Sequence, residues 1–125
     1  MATIKSYTDL EQSKKLAEIL PLESADMCYM YLGTEDKEYE DIPICAPAME
    51  GDLCAWSLAA LLNILHSKEK DIPSLSGGGY KDGEYISDWC LDYEFEDGDY
   101  QKTFAGNPVD ACVAMIEELH ELKLL

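Results

Sequence analysis

The sequence predicts an α+β fold: a single domain over residues 1–125, with three helices on one face of an antiparallel sheet of about four strands. Three observations predict it. Apolar residues recur at helical spacing in three separated segments, and strand-length apolar or alternating runs lie between them. Their order is α-ββ-α-ββ-α, which an antiparallel sheet covered by helices accommodates. A chain of 125 residues with 47% hydrophobic content has the length and composition of one globular domain.

Thr8-Asp-Leu-Glu11 fits a capping box, and Leu10, Leu16, Ala17 and Leu20 form the apolar side of the helix it opens. Pro21 closes that helix. Residues 25–32, ADMCYMYL, are apolar on both sides of a strand, which places the strand centrally. Gly33-Thr-Glu-Asp36 is turn-like, and 38–45 returns as a weaker strand whose Pro43 requires an edge position. In AMEGDLCAWSLAALLNILHSK, Asp52 caps a helix whose broad apolar surface belongs at the centre of the core. Residues 71–84, rich in Pro, Ser and Gly, read as a loop. Two strands over 84–96 and 99–105 meet at Asp97-Gly98, a dipeptide suited to a two-residue hairpin turn. Asn107-Pro108 then opens the last helix, with Asn as cap and Pro in the first turn. Its buried stripe is Val109, Cys112, Val113, Ile116 and Leu119.

The charge balance bounds function. Twenty-six acids face nine lysines, with no arginine, for a net charge of −17. Direct nucleic-acid binding relies on clustered Lys and Arg, and an anionic membrane surface would repel such a chain. Cations and basic protein surfaces are the charged partners left. The N-terminal residues MATIKSYTDLEQSKK have neither a signal-peptide core nor the Arg content of a transit peptide, so a cytoplasmic location is expected. Five cysteines, at 28, 45, 54, 90 and 112, are expected to be reduced there.

No cofactor, metal or catalytic set emerges from the motifs. Cys54 stands at the expected helix start beside Trp56, an arrangement similar to that of papain-like proteases. The Trp comes one residue late, however, and the flanking context differs. His66, roughly 18 Å along the same helix at 1.5 Å per residue, is too far to act as base. Only His120 remains as its partner. Gly78 and Gly83 have phosphate-loop spacing, but Glu84-Tyr85 stand where Lys and Ser or Thr are needed. The cysteines and histidines lack zinc-site spacing, and the acids around Gly98 do not fit an EF-hand frame.

Acidic surface is what remains. In DWCLDYEFEDGDY, residues 88–100, Trp89, Leu91, Tyr93 and Phe95 alternate with Cys90, Asp92, Glu94 and Glu96. The aromatic row is expected to face the helices and the carboxylates to face solvent. Segments 35–41 and 82–99 hold five and eight acids, half the total, and would merge into one negative face if all strands share a sheet. The candidate interaction surface is therefore Asp92, Glu94, Glu96, Asp97 and Asp99. Tyr39, Tyr80, Tyr85 and Tyr100 are the aromatics that could join it. Such a face could occupy a basic groove by imitating nucleic-acid phosphates, or be a solvated surface that discourages edge pairing. The alternatives are a cysteine hydrolase using Cys54 and a small assembly component, homo-oligomeric through an edge strand.

Three stretches, YTDLEQSKKLAEILPLESADM, AWSLAALLNIL and NPVDACVAMIEELHELKLL, resemble small proteins of bacterial prophages and integrated mobile elements. That group has no known activity to carry over. The resemblance implies a small accessory protein in a bacterial or phage cytoplasmic setting, with a host-interaction role.

Overall fold

The computed structural model describes residues 5–66, 72–95 and 98–125, and among them three helices and seven antiparallel strands form the expected α+β fold. The first helix, α1 (Leu10–Ile19), is capped one residue later than the sequence suggests. Asp9 accepts from the Gln12 N–H at 2.8 Å, and the Gln12 side chain accepts from the Asp9 N–H at 3.1 Å. Thr8 is unavailable for that role because it is buried. Its N–H donates to the Trp56 carbonyl at 2.9 Å, its hydroxyl accepts from the Trp56 N–H at 3.1 Å, and it shares a 2.8 Å hydrogen bond with the Ser13 hydroxyl. Asp and Thr are both good caps, so burial of Thr8 decides between them.

Of the expected 25–32 strand only β1 (Met27–Tyr29) forms, Met30, Tyr31 and Leu32 being exposed, and it is central as predicted: it pairs with β2 (Leu53–Ala55) and meets Ile44 on its other side. The 38–45 segment makes only single bridges, Tyr31 to Tyr39 and Cys28 to Ile44, since Pro43 between them cannot extend a ladder. Residues 53–55 correct the expected helix start. An apolar run suits helix and strand alike, and here pairing with β1 wins. The helix α2 (Leu58–Leu65) begins only after Ser57, which accepts from the Ala60 N–H at 3.2 Å and is itself held by the Asp26 carboxylate.

The expected loop over 71–84 is also corrected, residue 71 lying outside the described residues. β3 (Ile72–Ser76) is an edge strand, where Pro73 is tolerated. β4 (Gly79–Lys81) and β5 (Glu84–Ile86) form a hairpin turned by Asp82 and Gly83. Both turn residues are left-handed, with φ 52° and 83°, the conformation that matches the twist of a tight hairpin. The expected 84–96 strand is broken at Ser87-Asp88, so β6 (Trp89–Glu94) is a separate strand between β3 and β7 (Tyr100–Ala105). The final helix, α3 (Pro108–Glu121), starts as its sequence predicts, with Asn107 accepting from the Asp110 N–H at 2.9 Å.

One four-stranded sheet is thus replaced by three sheets: β1-β2, β3-β6-β7 and β4-β5. The main core lies where α3 covers β6 and β7 and meets α1 and α2, around Leu16, Trp56, Leu61, Leu91, Met115 and Ile116. Each such side chain contributes about 1.5–3 kcal/mol by leaving water. A smaller cluster of Met27, Tyr29, Leu53 and Ala55 occupies one face of β1-β2.

Asp110 ties the chain before α1 to the first turn of α3. It accepts from Lys5 and Gln12 at 2.7 Å each and from Asn107 at 2.8 Å. Burial alone would raise its pKa, but these hydrogen bonds and the Lys5 charge outweigh it and hold the carboxyl below its ordinary 3.8. A depressed folded-state pKa adds stability that is present above the unfolded value and lost as pH falls through the folded one. Asp110→Asn is therefore expected to destabilise at neutral pH, with the gap to the parent closing as pH falls below 3.8. Urea midpoints across that range measure it, and a pH-independent gap would contradict it.

Candidate functional site

The alternation along β6 sorts its side chains as expected at the centre of the strand. Leu91 and Tyr93 are buried in the main core, and the ring of Phe95 meets that of Tyr93 edge-on at 5.5 Å. Trp89, on the same row, stays 39% exposed. The inward row of β7 also faces α3: Thr103 donates to the Ala111 carbonyl at 2.8 Å, and the Gln101 side chain donates to Glu118.

Register then defines the outer face, because directly opposed residues point the same way. Ser74, Asp92 and Lys102 stand in one row across the three strands, Glu94 is opposite Tyr100, and Cys90 is opposite Phe104. Asp92 and Glu94 therefore share this face with Tyr100 and Lys102. Asp92, Glu94, Tyr100 and Ser74 line a shallow cleft on it. The Lys102 ammonium lies 3.9 Å from the Asp92 carboxylate and 5.4 Å from the centre of the Tyr100 ring, so one cation is shared between acid and aromatic.

The carboxylates 92 and 94 face outward as expected, but the face is not open along its whole length. The β4-β5 hairpin lies over its Cys90 end and buries that thiol. A Cβ at position 79 would sit 3.1 Å from Cys90 Sγ and 3.3 Å from the Phe104 ring, so the glycine lets the hairpin approach closely without displacing them by a few tenths of an ångström. Lys102 joins the two parts by donating to the Tyr80 carbonyl at 3.4 Å. The hairpin carries Tyr80 and Tyr85, edge-to-face at 5.4 Å, and both are more than 60% exposed, as is Tyr100. Tyr39 is half-buried and lies across from Tyr31, apart from this sheet.

Of the five sequence-predicted surface residues, the structure brings Asp92 and Glu94 together. Asp99 follows in the connection to β7, where its carbonyl accepts from the Phe95 N–H at 2.7 Å. Glu96 and Asp97 lie outside the described residues. The hairpin is wider than the expected two-residue turn: Gly98, at φ 94°, donates to the Phe95 carbonyl at 3.0 Å. The acids of 35–41 belong with the β1-β2 sheet, so the two acidic segments do not merge on one sheet. Lys102 and the hairpin contact were missed by sequence reasoning. The Asp82-Gly83 dipeptide was the available signal, being the same turn pair as Asp97-Gly98.

Cys54 does not stand at a helix N-terminus. It lies in β2, three residues before the Ser57 cap, which removes the dipole that would favour its thiolate. Burial pushes its thiol pKa up instead. It lines a cleft with Ala25, Pro47, Met49 and Asp52, whereas His120 lines another with Lys15, Glu18 and Glu117. Nucleophile and base are not assembled. Gly78 and Gly83 belong to the β4-β5 hairpin and its approach, not to a phosphate loop. Among the described residues no three His, Cys, Asp or Glu side chains are grouped to hold a metal ion, and no helix is long and apolar enough to cross a membrane.

No protein-family model matches the chain, and no curated protein or solved structure matches it either.

Proposed function

We propose that the chain is a non-enzymatic protein-interaction domain whose outer β3-β6-β7 face, with the β4-β5 hairpin, meets a basic protein partner. The observation that carries the reading is that Asp92 and Glu94 share a face with Tyr100 while the adjoining β4-β5 hairpin adds Tyr80 and Tyr85, all three tyrosines being exposed beyond 60%. Tyrosine buries large area at low entropic cost when a partner covers it and is enriched in interfaces for that reason. The carboxylates would supply steering and register: at a net charge of −17 the approach of a basic surface is accelerated over long range. A phage or mobile-element accessory protein acting on a host component in the cytoplasm is the setting we infer.

Capture from a native bacterial extract on the immobilised chain, washed at low and at high salt, tests this directly. A basic protein retained at low salt and released at high salt is expected, because screening shortens the reach of exposed charges. Retention of an acidic or neutral protein, indifferent to salt, would contradict it.

A further inference from the structure

We propose that Cys28 and Cys54 form a modification site: a reversible cross-strand disulfide, made when a peroxide reaches the cleft that Cys54 lines. The inference is independent of the proposed function. The two cysteines stand directly opposite each other in the antiparallel β1-β2 pair. Cys28 donates to and accepts from Ile44, at 3.0 and 2.9 Å, on its other side. Since both backbone groups of a strand residue point the same way, neither bonds toward Cys54, and Cys28-Cys54 is the non-hydrogen-bonded type of pair. Pairs of that type hold their Cα atoms about 4.5 Å apart, with side chains closer than in the alternative. That separation lies inside the range of roughly 4.4–6.8 Å that disulfides span.

The side-chain directions agree. Met27, Tyr29, Leu53 and Ala55 fill one face of the β1-β2 pair with their own cluster, so Cys28 and Cys54 both project from the other. There Cys28 Sγ lies 3.9 Å from the Pro47 carbonyl, and Cys54 borders the cleft lined by Leu22, Ala25, Pro47, Ala48 and Met49. Cys54 is the thiol nearer solvent, at 6% exposure against 1% for Cys28. Burial pushes both thiols up, and for Cys28 the neighbouring Asp52 and Cys54 charges add to that, so both sulfurs rest protonated and react slowly with peroxide.

The chemistry balances with hydrogen peroxide as the oxidant. The Cys54 sulfur, on losing its proton, attacks one peroxide oxygen. The O–O bond breaks, and the leaving hydroxide takes that proton as water, giving a sulfenic acid. The Cys28 sulfur then attacks the Cys54 sulfur, the S–O bond breaks, and the departing hydroxide takes the Cys28 proton as a second water. Two thiols are oxidised by two electrons and one peroxide is reduced. The bond would staple the 30–52 excursion, including the acidic 35–41 segment, at its base.

The test treats the full chain with hydrogen peroxide under native conditions, alkylates the remaining thiols and maps linked peptides after cleavage at Lys and at Glu. Cleavage after Glu50 separates Cys54 from the exposed Cys45. The expected product is a monomer lacking two hydrogens, with Cys28 joined to Cys54 and three thiols left to alkylate. Cys45→Ser retains that product, dithiothreitol reverses it, and hydrogen exchange across 27–29 and 53–55 slows while it is present. Linkage through Cys45, covalent dimers, or five alkylated thiols after exposure would overturn the proposal. Cys28→Ser and Cys54→Ser, checked for native circular dichroism, should each abolish the link.

Discussion

Replacing Trp56 with alanine is expected to destabilise the protein by about 3–5 kcal/mol, the usual cost of removing a buried aromatic side chain. Trp56 is fully buried at the junction of β2 and α2, inside the cluster formed by α1, α2, α3 and β6. Its indole N–H donates to the Ser24 hydroxyl at 3.0 Å, so the change also removes a hydrogen bond. Its backbone is locked to Thr8 in both directions, which prevents collapse of the chain into the vacated space. Domains of this size have only about 5–15 kcal/mol in hand, so the variant would lose a large fraction of its stability. Urea denaturation with an unchanged slope and a lowered midpoint is the expected record. A loss below about 1 kcal/mol would contradict the placement of Trp56 in the packed core.

The second large effect concerns the outer face. Asp92→Ser with Glu94→Ser, combined with Tyr100→Ala, is expected to weaken the captured basic partner at least tenfold, about 1.4 kcal/mol. The charge changes should act mainly on the association rate and its salt dependence, and the tyrosine change mainly on dissociation. Asp92 and Glu94 are half-buried and exposed, and Tyr100 is exposed, so folding should be unaffected. Circular dichroism and the thermal midpoint check that separately. Unchanged affinity and salt dependence in a folded variant would reduce the face to a wet surface.

The legible parts of the fold share a physical feature: their signals are local. Asn107-Pro108 and the stripe behind it define α3 without reference to the rest of the chain. The doubly apolar 25–32 run implies a strand with neighbours on both sides, and its 27–29 part, β1, has them. What stayed hidden depends on contacts distant in sequence. Leu53-Cys-Ala55 has no local preference strong enough to choose strand over helix, and β1, more than twenty residues away, decides it. Ile72–Ser76 looks like a loop until β6 pairs with it. The site divides in the same way. Outward carboxylates at 92 and 94 follow from period-two alternation, while burial of Cys90 follows only from the docking of the Gly79 hairpin.

The measurement that bears most directly on the outer face as the binding surface is a hydrogen-exchange footprint of the chain with its captured partner bound. Slowed exchange is expected in 79–86, 89–94 and 100–105, reversed by high salt, with 30–32 and 42–44, which carry the exposed Met30, Tyr31, Ile42 and Ile44, unchanged. Protection confined to those two segments, with the β3-β6-β7 face exchanging as freely as before, would contradict it.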